Sequence, residues 1–285
     1  MDDEVLPFHR RPVTAAEIAR DAAALGVAPG DVVMLHTQMR EIGWVVGGAD
    51  AVVLGLLEAL GPDGTLLALA GWHNDTYYDM DQWPERWRRA YLEGMPAFDP
   101  QVSEVSPDYG RLPERIRTWP GALRSDHPEN AVAAIGPRAQ WIVATHPGDD
   151  GFGPGTPYAR VVEAGGKVLM LGAPLETITM LHHAEALAQG RGKRFVTYRS
   201  PVLADGERVW KEFRDIESDT GAFPYEEIIT TGVDPFEVIG TAALAAGVGV
   251  TGKIGEATSH LFDAPELVRF AVDWIEQRFG ERGEP

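Results

Sequence analysis

Cysteine does not occur in this chain. Disulfide bonds, thiolate zinc centres and a cysteine nucleophile are thereby excluded. No apolar run approaches the ~18 residues that a membrane-spanning helix needs, so no membrane partner is expected. The opening segment MDDEVLPFHRRPVT begins with acids and has no apolar core, unlike a secretory leader. A cytoplasmic location is the simplest expectation. Basic residues are scarce: Lys and Arg number 25 against 43 Asp and Glu, for a formal net charge of −18. Such a chain repels phosphate backbones, which argues against nucleic-acid binding. It suits a cationic small molecule, although acidic surfaces also serve solubility alone. G-x-S-x-G is absent, so a hydrolase nucleophile elbow has no support. H-E-x-x-H and paired E-x-x-H motifs are absent too, and no metal is expected.

What is present is an alternation of strand and helix signals. The 285 residues suffice for one large domain. TAAEIARDAAALG (14–26) reads as a Thr-capped helix closed by Gly, DVVMLHT (31–37) as a strand and GADAVVLGLLEALG (48–61) as a helix. A buried strand over 65–70 follows the Asp63-Gly64 turn. Residues 71–130 are rich in Trp, Tyr, Pro, Asp and Arg and read as long loops with short helices, a common setting for function. Regular structure resumes at AVAAIG (131–136) and AQWIVATH (139–146), and KVLMLGA (167–173) is a continuous apolar run expected at the sheet centre. RFVTYRSPVL and ERVWKEFRDIES alternate like antiparallel strands around Asp205-Gly206. DPFEVIGTAALAAG and APELVRFAVDWIEQRFG read as helices flanking an extended segment. One domain over 1–285, built on a mixed sheet, is expected.

GVGVTG (247–252) matches a dinucleotide fingerprint, and GVGVTGKI nearly matches a phosphate-binding loop. Both need a strand before and a helix after. Here a helix precedes and a strand follows, so Gly247 reads as the helix's closing residue and Lys253 as a free cation available to an anion.

TITMLHHAEALAQG follows the central strand through GAPLET, at the strand edge where α/β sheets gather ligands. Thr177 reads as a helix cap whose free N–H groups can receive an anion. Successive helical residues point about 100° apart, so His182 and His183 cannot share a face. His182 shares its face with Ile178, Thr179 and Glu185. His183 falls on an apolar stripe and reads as packing. Neutral imidazole is the usual general base near neutral pH, which makes His182 the candidate. Asp215, Glu217 and Asp219 alternate along RDIESDTGAF and are expected on one face of an extended stretch, needing a cation against them. The loop GWHNDTYYDMD sets Asp75, Asp79 and Asp81 beside Trp72, Tyr77 and Tyr78, a mixture that suits a ligand with several amines and sugar-like faces.

Segments throughout the chain resemble the aminoglycoside 3-N-acetyltransferases, in order and at family-like spacing. They include VVMLHTQMREIGWVVGGADAVVLGLLEALGPDGTLLALAGW, FDPQVSEVSPDYGRLPERI, RSDHPENAVAAIGP, GPGTPYARVVEAGGKVLMLGAPLETITMLHHAEAL, KRFVTYRSPVL, DIESDTGAF and SHLFDAPELVRFAVDWIEQRFG. The resemblance implies a three-layer α/β/α sandwich with a mixed central sheet and long aromatic and acidic loops. It implies acetyl transfer from acetyl-coenzyme A to the 3-amino group of an antibiotic, hence resistance. The family's L-H-x-A-E helix falls on Leu181–Glu185 and nominates His182 as general base. Its strand-end V-H-(S/A)-S falls on Leu35, His36, Thr37 and Gln38, with Gln38 departing from Ser. The coenzyme is thus expected against His36, Thr37, Gln38, Thr177, Thr179 and Lys253. The drug is expected against Trp72, Asp75, Tyr77, Glu104, Glu185, Asp215 and Asp219, with Glu217 paired to His182. A monomer or homodimer is expected. The competing readings are an acyltransferase acting on another amine and a non-catalytic binder of cationic small molecules.

Overall fold

The computed structural model describes residues 11–72 and 82–280. The chain enters through β1 (Pro12–Val13) and α1 (Ala15–Leu25), where the Thr14 hydroxyl accepts from Glu17 N–H and caps the helix. β2 (Val32–Thr37), β3 (Trp44–Val45), α2 (Gly48–Leu60) and β4 (Thr65–Leu69) complete the first half-unit. α3 (Glu85–Gly94), α4 (Arg111–Arg117) and β5 (Leu123–Arg124) punctuate the aromatic middle. Then come β6 (Val132–Ile135), α5 (Ala139–Val143), α6 (Pro157–Glu163), β7 (Lys167–Leu171) and α7 (Met180–Leu187). The hairpin β8 (Phe195–Ala204) and β9 (Glu207–Ile216) precedes α8 (Pro235–Ala245), β10 (Gly249–Ile254), β11 (Ala257–Asp263) and α9 (Ala264–Phe279).

Seven strands form one mixed sheet in the order β10-β11-β7-β2-β4-β6-β5. β7, β2 and β4 run parallel; the outer strands run antiparallel to their neighbours. Alternation sorts the side chains of the buried strands. Val33, Leu35, Leu66 and Leu169 face Ile18, Ala22, Leu56 and Leu112 of α1, α2 and α4. Met34, Leu67, Val168 and Met170 face Tyr158, Leu181 and Ile275 of α6, α7 and α9. The result is a three-layer α/β/α sandwich. Both faces of the central strands are covered, which explains why KVLML reads as continuously apolar rather than alternating. Each fully buried aliphatic side chain there contributes roughly 1.5–3 kcal/mol of burial.

The hairpin turns at Asp205 (φ 52°) and Gly206 (φ 80°), a left-handed pair that matches strand twist. Gly247 (φ 77°) follows α8, and Val248 N–H returns to Ala243 O, so GVGVTG joins a helix to an antiparallel edge strand, the reverse of the strand-then-helix order of a phosphate-binding loop. α7 starts at Met180 rather than Thr177. Residues Leu175–Thr177 form a separate 3-10 turn, and the Thr177 hydroxyl donates to Pro174 O (2.7 Å) instead of capping α7. Among the described residues no helix is long and apolar enough to cross a membrane.

Candidate active site

α2 carries the chain from β2 to β4 on one side, while β7 flanks β2 on the other, so the chain's direction of travel across the sheet reverses beside β2. Crevices at such points, beyond the strands' carboxyl ends, collect ligands. Gln38 N–H donates to Leu171 O (3.1 Å) and locks the two strand ends together. Above them opens a cleft of about 740 Å³. His36 to Arg40 from the end of β2, Ala173, Pro174, Glu176 and Thr177 beyond β7, Thr179 and His182 line it, with Asp108 to Pro113, Glu129, Asn130, Phe152, Asp219 and Phe236.

His182 sits between two phenyl rings, with centroids at 4.8 Å to Phe152 and 4.6 Å to Phe236. Asp234 caps α8 by accepting from Phe236 N–H (2.7 Å), which places that ring. The His182 side chain is 19% exposed, and its Nδ1 lies 2.8 Å from Glu185 Oε2, a carboxylate only 1% exposed. An ionised carboxylate only accepts, so Nδ1 carries the proton and Nε2 is the basic atom. The other carboxylate oxygen, Oε1, accepts from the Tyr225 hydroxyl (2.8 Å). A buried acid bonded to a part-buried imidazole that reaches a cleft is the arrangement that orients a general base and stabilises its protonated form. His183 points inward, 3% exposed, and its Nδ1 donates to Phe152 O (2.6 Å).

The aminoglycoside 3-N-acetyltransferase family model matches residues 34–276. The chain belongs to that family. It is similar to aminoglycoside N(3)-acetyltransferase VII of Streptomyces paromomycinus, 50% identical over 273 residues, covering 95% of each chain. It is similar in structure to AAC-IIIb in a binary complex with CoASH, with TM-score 0.86 and 41% identity over 96% of this chain and 100% of that one. AAC-VIa bound to sisomicin is similar as well, with TM-score 0.86 and 39% identity over 94% and 99% of the two chains.

Within this acetyltransferase frame, several residues expected at the site lie elsewhere. Glu217 does not pair with His182. Its Oε1 accepts from Asp219 N–H (3.0 Å) and Thr220 N–H (3.3 Å) and shapes a turn, while Glu185 holds the ring. Glu185 bonds His182 and Tyr225, and it lines a smaller cavity next to the main cleft. β9 ends at Ile216, so Asp215, Glu217 and Asp219 do not share a face. Asp215 is buried and accepts from Asn130 Nδ2 (3.0 Å), Tyr198 OH (3.1 Å) and Gly151 N–H, tying down the loop that carries Phe152. Trp72 is 7% exposed and packs on Phe98 (5.8 Å), outside the cleft wall. Glu104 is exposed and absent from that wall, and Lys253 on the edge strand donates to Glu256 O and Thr258 Oγ1. Asp75, Tyr77, Tyr78, Asp79 and Asp81 lie outside the described residues. His36, Thr37, Gln38, Thr177, Thr179 and Asp219 do line the cleft. Residues that sequence reasoning missed are Phe152, Phe236, Tyr225, Asn130, Arg40 and Arg111. Phe152 had a signal in the Gly/Pro loop GFGPG; Phe236 and Arg111 lie in the first turns of α8 and α4, and Tyr225, Asn130 and Arg40 lie in short turns or loops, where no period marks a side chain as facing a cleft.

Burial moves several titrations. His36 and His146 are each pushed down to about 4 by burial; at His146 the bond to Gly151 O opposes that shift. Burial pushes the Asp215 carboxyl up to about 7 despite its three donors. Between the ordinary histidine value of 6.5 and about 4, the unfolded chain binds protons that folded His36 and His146 refuse. Stability therefore falls as pH falls through that window, by about 3 kcal/mol for each ring. Asp215 has the opposite sign, stabilising the fold as pH falls from about 7 toward its ordinary value of 3.8. The two histidines together outweigh it below pH 6. The melting temperature is expected to drop between pH 6 and 4.5, and His146→Gln should flatten the drop. An unchanged slope in that variant counts against the assignment.

Proposed function

We propose that this protein transfers the acetyl group of acetyl-coenzyme A to the 3-amino group of an aminoglycoside, with His182 as general base, and so confers resistance to the antibiotic. The observation that carries this reading is the Nε2-basic ring of His182 facing the cleft, held by buried Glu185. The sisomicin complex of AAC-VIa and the CoASH complex of AAC-IIIb support both ligand classes. In the reaction, His182 Nε2 takes a proton from the ammonium and frees its lone pair. The amine attacks the thioester carbonyl, the C–S bond breaks, the imidazolium returns its proton to the leaving thiolate, and the second proton on the new amide nitrogen is lost to solvent. Neutral His182 beside a carboxylate is suited to both transfers. Holding amine and thioester together supplies much of the remaining acceleration.

The cleft is bipolar, which fits an anionic coenzyme and a cationic acceptor. Arg40 and Arg111 line the cleft with the end of β2; a Cβ on Gly110, next to Arg111, would stand 3.9 Å from Thr37 O. His36 Nε2 and Thr37 Oγ1 there are buried and have no hydrogen-bond partner among the described residues, as groups reserved for a ligand would be. Glu176 and Asp219 supply the acidic side around His182. Burial by the cleft walls and the Glu217 charge push the Asp219 carboxyl up, while His182 pulls it down. The backbone N–H of Thr177 donates to Pro174 O and is not available to an oxyanion. Changing Arg40 and Arg111 together to alanine should raise KM for acetyl-coenzyme A roughly threefold to tenfold and leave KM for the drug within twofold. Initial-rate kinetics with each substrate varied checks this, and an unchanged coenzyme KM removes the two arginines from the site.

The assay that tests the whole reading is thiol release from acetyl-coenzyme A with and without gentamicin or sisomicin. Drug-dependent release supports it; drug binding without release supports a non-catalytic binder, and release only with unrelated amines supports a different acceptor. We also read the chain as one acetyltransferase domain over 1–285, a monomer or homodimer, working in the cytoplasm where its acyl donor is made.

A further inference from the structure

The carboxylate that holds His182 is itself held. Glu185 is 1% exposed, and its two oxygens have one partner each: Oε2 meets His182 Nδ1 and Oε1 accepts the Tyr225 hydroxyl, both at 2.8 Å. Tyr225 does not line the main cleft and is 3% exposed. Its ring is boxed by Phe223 (6.2 Å), Trp274 (6.5 Å) and Phe279 (5.6 Å), the last two from α9. Gly221 (φ 97°) turns the chain beside it, and a Cβ there would stand 3.0 Å from Tyr225 Cδ2. The phenol is thus fixed against α9, none of whose residues lines the main cleft, and it edges a smaller cavity of about 150 Å³ that His182 and Glu185 also line.

We infer that Tyr225 is a positioning residue for the acetyl-transfer reaction, acting on His182 through Glu185. The inference rests on His182 being the base. One phenolic donor on Oε1 fixes the plane of the carboxylate and leaves Oε2 to one bond, with Nδ1. It also draws negative charge away from the His182 side. Burial, then the Glu185 charge, push the Tyr225 phenol up, so it remains a donor throughout the working range. The charged groups around the trio are Glu176 and Asp219 on the cleft wall, Asp234 at the start of α8, and Lys193, which donates to Ala186 O and Ala188 O. None is altered when only the phenolic hydroxyl is removed.

The test is Tyr225→Phe, which keeps the ring in its box. Tyr198→Phe is the control, since it removes a similar buried hydroxyl from a carboxylate, Asp215, that does not touch His182. Rates are normalised to the folded fraction from thermal melts. Turnover of Tyr225→Phe is expected to fall roughly tenfold, a part of the 10²–10⁴ that a general base supplies, with both KM values within twofold. The acid limb of kcat/KM should move to higher pH. Without the phenol, charge concentrates on the His182 side or Glu185 takes up a proton, and either change ends the neutral-ring, ionised-carboxylate form at a higher pH. Tyr198→Phe should leave the limb in place. A wild-type limb and turnover in Tyr225→Phe overturns the inference, as does an equal loss in both variants with no movement of the limb. His182→Ala is measured in parallel: full activity there overturns the reading of the base itself, whereas an inactive His182→Ala beside a wild-type-like Tyr225→Phe overturns the role of Tyr225 alone.

Discussion

Changing His182 to alanine is expected to lower kcat by about a thousandfold, within the 10²–10⁴ range of general acid–base catalysis. The ring is the group at which the cleft, the buried carboxylate and the two phenyl rings meet. Its loss removes the acceptor for the ammonium proton, and an aminoglycoside amine near neutral pH is mostly protonated. KM for acetyl-coenzyme A should stay within about threefold, because the coenzyme contacts proposed above are to other residues. His183→Ala should behave differently. That side chain is buried and donates to Phe152 O, so its removal leaves a carbonyl unpartnered beside the ring that flanks His182. The expected cost is about 1–3 kcal/mol of stability with most of the activity retained. Initial rates and thermal melts of the two variants decide the matter. Equal losses of turnover in both would sink the assignment of the base.

The second large effect is expected at Glu185. Glutamine there preserves the shape and can still accept from His182 Nδ1 with its amide oxygen, while its amide nitrogen can donate to Tyr225. What it removes is the negative charge that stabilises the imidazolium after proton transfer. Turnover should fall roughly 10²–10⁴-fold, the scale seen when the buried carboxylate of a catalytic triad is made neutral. Glu217→Gln is the contrasting variant. Its oxygen can still accept from Asp219 N–H and Thr220 N–H, so the turn is kept and only a charge near the acidic wall is lost. That variant should retain kcat within about threefold and show its effect, if any, on KM for the drug. A large kcat loss in Glu217→Gln with little in Glu185→Gln would return the orienting role to Glu217.

The contrast between these acids shows what can be read along the chain. His182 and Glu185 are three residues apart on one helix, and helical geometry alone puts them on one face. Competition came from RDIESDTGAF, where period-two alternation suggested a shared acidic face. The alternation fails because β9 stops at Ile216, and the chain beyond turns around the Glu217 carboxylate. Asp215 pairs with Val196, one step before the ladder ends, and is drawn inward by Gly151, Asn130 and Tyr198, partners distant in sequence. The Thr177 cap failed for a similar local reason: Pro174 starts a 3-10 turn whose carbonyl takes the hydroxyl before α7 begins.

The order of helices and strands, the buried β7 run, the acidic balance and the separation of His182 from His183 were determined by the sequence itself. Each depends on spacing between neighbours, and backbone geometry converts such spacing directly into faces and edges. The tertiary structure alone decided that Glu185 is the buried partner, that Phe152 and Phe236 enclose the ring, and that Tyr225 reaches the far oxygen from a turn packed on α9. These contacts join segments through the packing of three layers. Burial and hydrogen-bond partnership at such places depend on what else arrives there, and no local period encodes that.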